Sequence, residues 1–418
     1  MTLIPLTMQP MKNLSDVIVV GGGAVGSFTA LKLAKLGAKV TVFEEHETIG
    51  TPSHCAGHLG IGNLRNLGLY PLPGEIVENT FSKANFYSPS GFNFSVCLDN
   101  PVTCSVNREA FDRHIADKAE AAGAHFCLNS HVHSLHLENG VVKGVRVKQR
   151  DMVEELVMAK IVIDAEGISS RLLRQAGLPG LDSERLVYAV EAEVQDIADV
   201  QLDAVEVFLG KAYAPGLYAW LIPRLDGTAK VGLAAKKGNP KELLRRLMLK
   251  HPVASKKLAK AKIKSMAFHS ITLGGPISKT YSNGFLAVGD AASQVKPTTG
   301  GGVVLGLMCA GIAAEVADEA MRKKDVSSHF LQMYQKRCED ALGFDFSVML
   351  RIRRFLDRLS DDKLDDVLRF CAKIGLNKTL GGVDQIDFQG QMLLKILTKP
   401  ALFAALAYFL KVYLSGNS

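Results

Sequence analysis

The sequence lacks what would place it in several large protein classes. Its seven cysteines (Cys55, Cys97, Cys104, Cys127, Cys309, Cys338 and Cys371) are odd in number and share no paired spacing. That argues against a disulfide framework and a zinc site, and fits a reducing, intracellular compartment. No apolar run reaches the roughly 20 residues that a spanning helix needs. The stretch Met1–Asn13 has no long apolar core behind a basic start, so it reads as a short disordered leader and not as a secretory signal. There is a single tryptophan, Trp220, and no internal repeat. No aromatic-basic platform accompanies the basic residues, so nucleic acid is not expected as a partner.

What is present suffices for a large core. Of 418 residues, 47% are hydrophobic, enough for more than one structural unit. The net charge of +7 is unevenly spread: eleven Lys or Arg residues and one acidic residue, Glu242, lie between Lys236 and Lys264. That stretch is either a solvated helical face or a surface for an anionic partner such as lipid headgroups.

From Asp16 the chain reads DVIVVGGGAVGSFTALKLAKLGAKVTVFE: an apolar strand, a glycine turn, an amphipathic helix and a second apolar strand. This is a βαβ unit. NREAFDRHIADKAEAAGAHF has helical spacing, with Asn107 near its start, and leads to another strand. VVKGVRVKQR and LVMAKIVIDAEG alternate like a hairpin, and the second ends in an apolar strand. Strand-like runs from Leu186 to Ala235 predict an antiparallel sheet. After Asn283 come a buried strand, a glycine-rich turn and a helix from about Gly302 to Lys323, and everything beyond Val326 reads as helical. Nucleotide-binding signals flank the sheet-rich middle, so the domains interleave. Residues 14–80, 105–180 and 281–325 are expected to form a discontinuous nucleotide-binding domain. Residues 81–104 and 181–280 should form an antiparallel-sheet substrate domain, and 326–418 a C-terminal helical region.

The chemistry starts at Gly21-x-Gly23-x-x-Gly26. Gly21 permits the tight turn, Gly23 lets the backbone approach a pyrophosphate, and Gly26 lets helix and strand pack closely. With Ala24 and Val25 these are candidate cofactor contacts, since the helix start stabilises phosphates. Glu44 closes the second strand and would accept hydrogen bonds from ribose hydroxyls; its carboxylate disfavours a 2′-phosphate. Glu45 is the alternative ribose ligand if the strand ends one residue later. This element alone does not separate NAD from FAD.

From Tyr281, YSNGFLAVGDAASQVKPTTGGGVVLGLMCAG resembles the second nucleotide motif of FAD enzymes of the hydroxylase and reductase superfamily. The resemblance implies an α/β, Rossmann-like FAD-binding fold. It places Gly289 and Asp290 at the ribityl chain. Gly300, Gly301, Gly302 and Val303 begin a helix whose amides would face the flavin pyrimidine edge and stabilise negative charge there. Arg108 matches the place of an arginine near the FAD pyrophosphate. Asp164-Ala-Glu-Gly167 looks like the superfamily's internal Asp-Gly motif, with Glu166 where an aspartate is usual.

Three further segments resemble the geranylgeranyl reductase family. Pro52-Ser53-His54-Cys55-Ala56-Gly57 is similar to its cysteine segment, which lies close to the flavin. Tyr218-Ala219-Trp220-Leu221-Ile222-Pro223, followed by Gly232, is similar to its aromatic-x-Trp-x-x-Pro motif, although Ile222 replaces the usual Phe and Ala234 the second glycine. The Pro297–Gly302 turn has the family's form. The resemblance covers roughly Asp16–Gly311 and implies an FAD-dependent reductase that saturates isolated double bonds in the geranylgeranyl or polyprenyl chains of membrane lipids. It implies Cys55, or a water beside it, as proton donor, with Cys55, Ala56 and Gly57 against the cofactor. Tyr218, Trp220 and Pro223 would contact substrate, although an aromatic in a strand is also read as core. No second complete dinucleotide fold is visible, so the reductant is external, either NAD(P)H or an electron carrier such as ferredoxin. An FAD monooxygenase, a quinone-linked electron-transfer flavoprotein and a non-catalytic lipid-binding flavoprotein are the alternatives.

His54 and His58 lie four residues apart, but in a glycine-rich context without a third ligand, so no metal is expected. The segment MLLKILTKPALFAALAYFLKVYL is apolar from Ala401 to Leu410 and reads either as a peripheral membrane or substrate-entrance helix, or as a buried core helix. With the basic stretch near Lys256 it suggests a cytoplasmic protein held peripherally on an anionic membrane surface.

Overall fold

The computed structural model describes residues 15–149, 153–380, 386–396 and 399–415. The expected leader Met1–Asn13 lies outside them. The strand Ser15–Val20 is buried almost throughout because both faces of its sheet are covered. It pairs in parallel with Val40–Phe43 and with the second half of Glu155–Asp164, so that Val20 faces both Phe43 and Asp164. The sheet runs Tyr281–Ser282, Phe285–Ala287, Glu155–Asp164, Ser15–Val20, Val40–Phe43, His125–Cys127. On one face, helices Ala24–Lys35, Arg108–Ala121 and Val303–Lys323 pack on Val17, Val19, Ile161 and Ile163. On the other, the hairpin Ser130–Glu138 and Val141–Gln149 packs on Ile18, Val20 and Val162. The hairpin joins the sheet through the antiparallel first half of Glu155–Asp164.

A second sheet runs Lys262–Thr272, Leu186–Gln195, Ala229–Ala235, Ala219–Pro223, Ala204–Phe208, Lys83–Tyr87, Asn93–Cys97. It is antiparallel except where Ala204–Phe208 meets Lys83–Tyr87. Helix Pro240–Lys250 covers its outer face through Leu243, Leu244 and Leu247, turning the basic residues of that segment to solvent. The inner face, carrying Val187, Ala189, Trp220, Ile222 and Ala234, turns towards the nucleotide-binding part. Between the two sheets lies a small antiparallel one, built from His58–Gly60, Thr103–Val106 and Val77–Phe81. The boundaries read from sequence near 80 and 105 fall inside this small sheet.

Helices Ser328–Arg358, Asp361–Lys373, Leu376–Leu380, Gln389–Ile396 and Pro400–Ser415 follow. Ser327 and Ser360 cap the first two by accepting from Phe330 N and Lys363 N, as Asn107 caps Arg108–Ala121. The last helix buries Leu402 and Ala405 with Phe94 and Leu368, and stacks Tyr408 on Phe370 at 4.0 Å. Its Phe403 and Leu406 face outward. No helix among the described residues is long and apolar enough to cross a membrane.

Candidate functional site

A cleft of about 390 Å³ opens at the carboxyl ends of the parallel strands, where α/β sheets bind their ligands. Its floor is the glycine turn. Gly21 has a φ of +98°, and a Cβ there would collide with the Ala165 carbonyl; a Cβ on Gly26 would collide with the carbonyl of Gly21. At Gly23 the nearest outside atom is Asp112 Oδ2 at 4.0 Å, which leaves the backbone bare towards the cleft. Ser27 Oγ ties the turn from behind by donating to Gly22 O at 2.7 Å.

Glu44 is buried. Its Oε2 accepts from Gly22 N at 2.7 Å, and its Oε1 from His46 N at 3.0 Å and from the His46 ring at 2.6 Å. The carboxylate therefore fixes the turn as well as lining the cleft. Glu45 points outward and meets His131 at 2.8 Å and Arg171 at 3.6 Å.

Two helices start at the cleft, at Gly23 and Gly302, neither with a side-chain cap nor an acidic residue in its first turn. Two positively polarised helix ends facing one cleft suit an anionic, elongated ligand, which is the requirement FAD sets. Asp290 stands beside the second start, where a Cβ on Gly302 would meet its Oδ1 at 2.6 Å. Burial raises the Asp290 carboxyl pKa and Arg108 opposes that rise. Arg108 donates to Asp112 from Nε at 3.0 Å and Nη2 at 2.9 Å, and lies against the Cys55 thiol. Burial works against its charge, but Asp112 and Cys55 outweigh burial and raise its pKa. Asp112 Oδ2 also accepts from Ala24 N at 3.2 Å, so one carboxylate orients both the arginine and the first helix start.

The wall towards the second sheet carries His269, Ser270 and Ile271. The His54 and His269 rings stack at 6.4 Å, and the buried Nδ1 of each has no partner. Burial lowers the pKa of both, that of His269 to about 4, so the wall is polar but uncharged at neutral pH.

Of the residues expected from sequence, Gly21, Gly23, Ala24, Val25, Gly26, Glu44, Glu45, Cys55, Arg108, Gly167, Gly289, Asp290, Gly300, Gly302 and Val303 line the cleft. Ala56, Gly57, Gly301 and Asp164, also expected at the cofactor, are not among the lining residues. Asp164 is fully buried, with Oδ1 accepting from Glu166 N at 3.0 Å and Oδ2 unpartnered; burial first, then Glu166, pushes its carboxyl well above the ordinary carboxylate range. Tyr218, Trp220 and Pro223 also stand off the cleft: Tyr218 and Trp220 pack at the inner face of the second sheet, and Pro223 ends the strand Ala219–Pro223. Tyr218 donates to Thr299 O at 2.8 Å and so braces the turn before Gly300. Trp220 packs over Gly232 and donates to Glu191 at 3.1 Å, and the Pro223 carbonyl accepts from Asn79 at 3.0 Å.

Sequence reasoning did not single out Asp112, His131 and His269 as cleft residues, and gave His54, within the cysteine segment, no role of its own beyond that of a rejected metal ligand. Asp112 was within reach, one helical turn after Arg108. Below the turn, Lys296 forms a buried ion pair with Asp387, which also accepts from Asn63 at 3.0 Å, so the C-terminal region docks beside the glycine run. Among the described residues no group of three or more His, Cys, Asp or Glu is placed to hold a metal ion.

Residues 14–340 match the family described as FAD binding domain. Among curated relatives, the chain is 33% identical over 402 residues to digeranylgeranylglycerophospholipid reductase 2 of Methanopyrus kandleri, covering 95% of this chain and 99% of that one. It is 35% identical over 364 residues to digeranylgeranylglycerophospholipid reductase 2 of Methanothermobacter thermautotrophicus, covering 85% and 91%. Among solved structures, a geranylgeranyl bacteriochlorophyll reductase-like protein from Thermoplasma acidophilum superposes with a TM-score of 0.84 at 27% identity, covering 95% of this chain and 99% of that one. The myxobacterial chondrochloren halogenase CndH, with a TM-score of 0.68 at 18% identity over 94% and 97%, shares the fold alone. The chain therefore belongs to the FAD-binding-domain family and, within it, to the digeranylgeranylglycerophospholipid reductases.

Proposed function

We propose that this protein is an FAD-dependent reductase that saturates isolated double bonds in the geranylgeranyl chains of membrane lipids. One observation carries the reading: two helix starts, an aspartate, an arginine and the segment Pro52–Cys55 converge on one cleft, although they come from opposite ends of the chain. Bound FAD supplies hydride chemistry. The residues do the rest. Arg108, oriented by Asp112, and the backbone amide at Gly23 would hold the pyrophosphate, while Asp112 keeps Ala24 N and fixes the helix start behind them. The helix beginning at Val303 would stabilise negative charge at the ring.

An isolated alkene accepts hydride only as its other carbon takes a proton, so a donor must stand close to the bound chain. Cys55, or a water held beside it, fills that role, while the neutral His54 and His269 keep the adjoining wall free of charge. The hydride source is replenished from outside by NAD(P)H or by a ferredoxin-like carrier; anaerobic mixing with each, followed by flavin absorbance, distinguishes them.

Mass spectrometry of prenyl lipids incubated with photoreduced protein tests the reaction. Gains in multiples of two hydrogens are expected. A gain of oxygen would replace this reading by a monooxygenase. In Cys55→Ser, single-turnover oxidation of reduced FAD by lipid should slow about 100-fold, and an unchanged rate removes Cys55 as donor. The basic stretch around Lys256 and the outward Phe403 and Leu406 support peripheral contact of a cytoplasmic protein with an anionic bilayer. Co-sedimentation should be stronger with anionic than with neutral vesicles, and equal recovery argues against such contact.

A further inference from the structure

We infer that Lys230 is a positioning residue: its buried ammonium fixes the strap that carries Cys55, and thereby sets where that thiol stands over the cleft. The inference rests on the proposed function for what the thiol does, but its geometry is independent of it.

Lys230 lies in the strand Ala229–Ala235. Ala229, Val231, Leu233 and Ala235 enter the apolar core under helix Pro240–Lys250, so Lys230 turns to the opposite, inner face. It is 7% exposed. An ammonium has three N–H donors, and here each has an acceptor: Ala56 O at 3.1 Å, Val106 O at 3.2 Å and Glu78 Oε2 at 2.7 Å.

These acceptors belong to three separate segments. Ala56 follows Cys55 directly. Val106 ends the strand that leads through the Asn107 cap into Arg108, the residue that touches the Cys55 thiol in the cleft. The strap is tied to the same strand a second time, since Val106 N donates to Gly57 O at 3.0 Å. Glu78 is held from its other side by Arg224 at 2.5 Å, which in turn meets Glu193 at 3.1 Å. One cation thus gathers the carbonyls flanking both Cys55 and Arg108 and anchors them to the second sheet. A methylene chain of equal length would fill the same space, but it would not draw two carbonyls to a common point.

Lys230→Met in the full chain tests this. Glu78 keeps Arg224, so the variant retains a partner for the buried carboxylate. FAD content should stay at the wild-type level, whereas peptide-resolved labelling of Cys55 by iodoacetamide should speed up about tenfold. Turnover should fall about 10- to 100-fold with KM for lipid changed less than about twofold, the pattern of a misplaced group. Labelling and turnover both at wild-type levels overturn the inference. Should Lys230→Met not fold, Lys230→Arg carries the same test, because a planar fork keeps the charge but cannot direct three N–H groups to these acceptors. If the wild-type chain took up no FAD, the functional reading would fail, yet the labelling comparison would still decide the role of Lys230.

Discussion

Gly26 shows how tightly single residues are constrained at the cleft floor. Gly26→Ala puts a methyl into the Gly21 carbonyl. The cost should be about 1–3 kcal/mol of overpacking, with purified protein losing its bound flavin; a yellow variant of wild-type stability would contradict this account of the turn. Asp112 matters for a different reason. Asp112→Ala leaves the buried Arg108 guanidinium without its bidentate partner and removes the acceptor for Ala24 N. A loss of about 3–5 kcal/mol in chemical denaturation is expected, together with weaker FAD uptake. The glycine turn and Glu44 were legible because their chemistry is local, one strand and one helix apart. His269 was not, because an alternating strand gives no sign of which residue will face a cleft built from another part of the chain.

Among the secondary elements, the short helix Ala254–Lys257 depends on an imidazole. His251 Nδ1 accepts from Val253 N and Ala254 N, both at 3.2 Å, with its ring edge-on to Phe208 and Tyr213. Burial lowers its pKa from 6.5 to about 4. The folded pKa lies below the unfolded one, so the stabilisation is complete above pH 6.5 and is lost as pH falls towards 4. His58 and His269 are lowered to about 4 by burial as well and act in the same window. Thermal unfolding should show a steep loss of stability across it, on the order of 3 kcal/mol from His251. His251→Asn should flatten the slope, and a curve unchanged in that variant would rule out this contribution. Helices announced themselves through caps such as Asn107, and the 141–164 hairpin through alternation. The small sheet did not, because its three short strands are joined only by pairing across 22 to 47 residues.

For the molecule as a whole, interleaving is the governing fact. It was legible, since nucleotide-binding signals stood on both sides of a sheet-rich middle. The docking of the C-terminal region through Asp387 on Lys296 was not, because a lone aspartate in a helical tail carries no pattern. A chain ending at residue 280 lacks the strand Phe285–Ala287 and the helix Val303–Lys323, which cover Ile161, Ile163 and Phe28. It should be recovered insoluble and colourless, and a soluble, flavin-loaded fragment would show that the first part folds alone.

The same arrangement bears on how the protein is made. The phosphate-holding turn leaves the ribosome early, but Asp290 and Gly302 emerge some 270–280 residues later, about a quarter of a minute to a minute at ordinary elongation rates. During that interval a newborn chain has half a binding site, so cofactor capture waits for the late segments to emerge. The captured molecule then acts as a latch between early and late segments, and cells short of riboflavin should accumulate a species that proteases clear faster than the loaded enzyme.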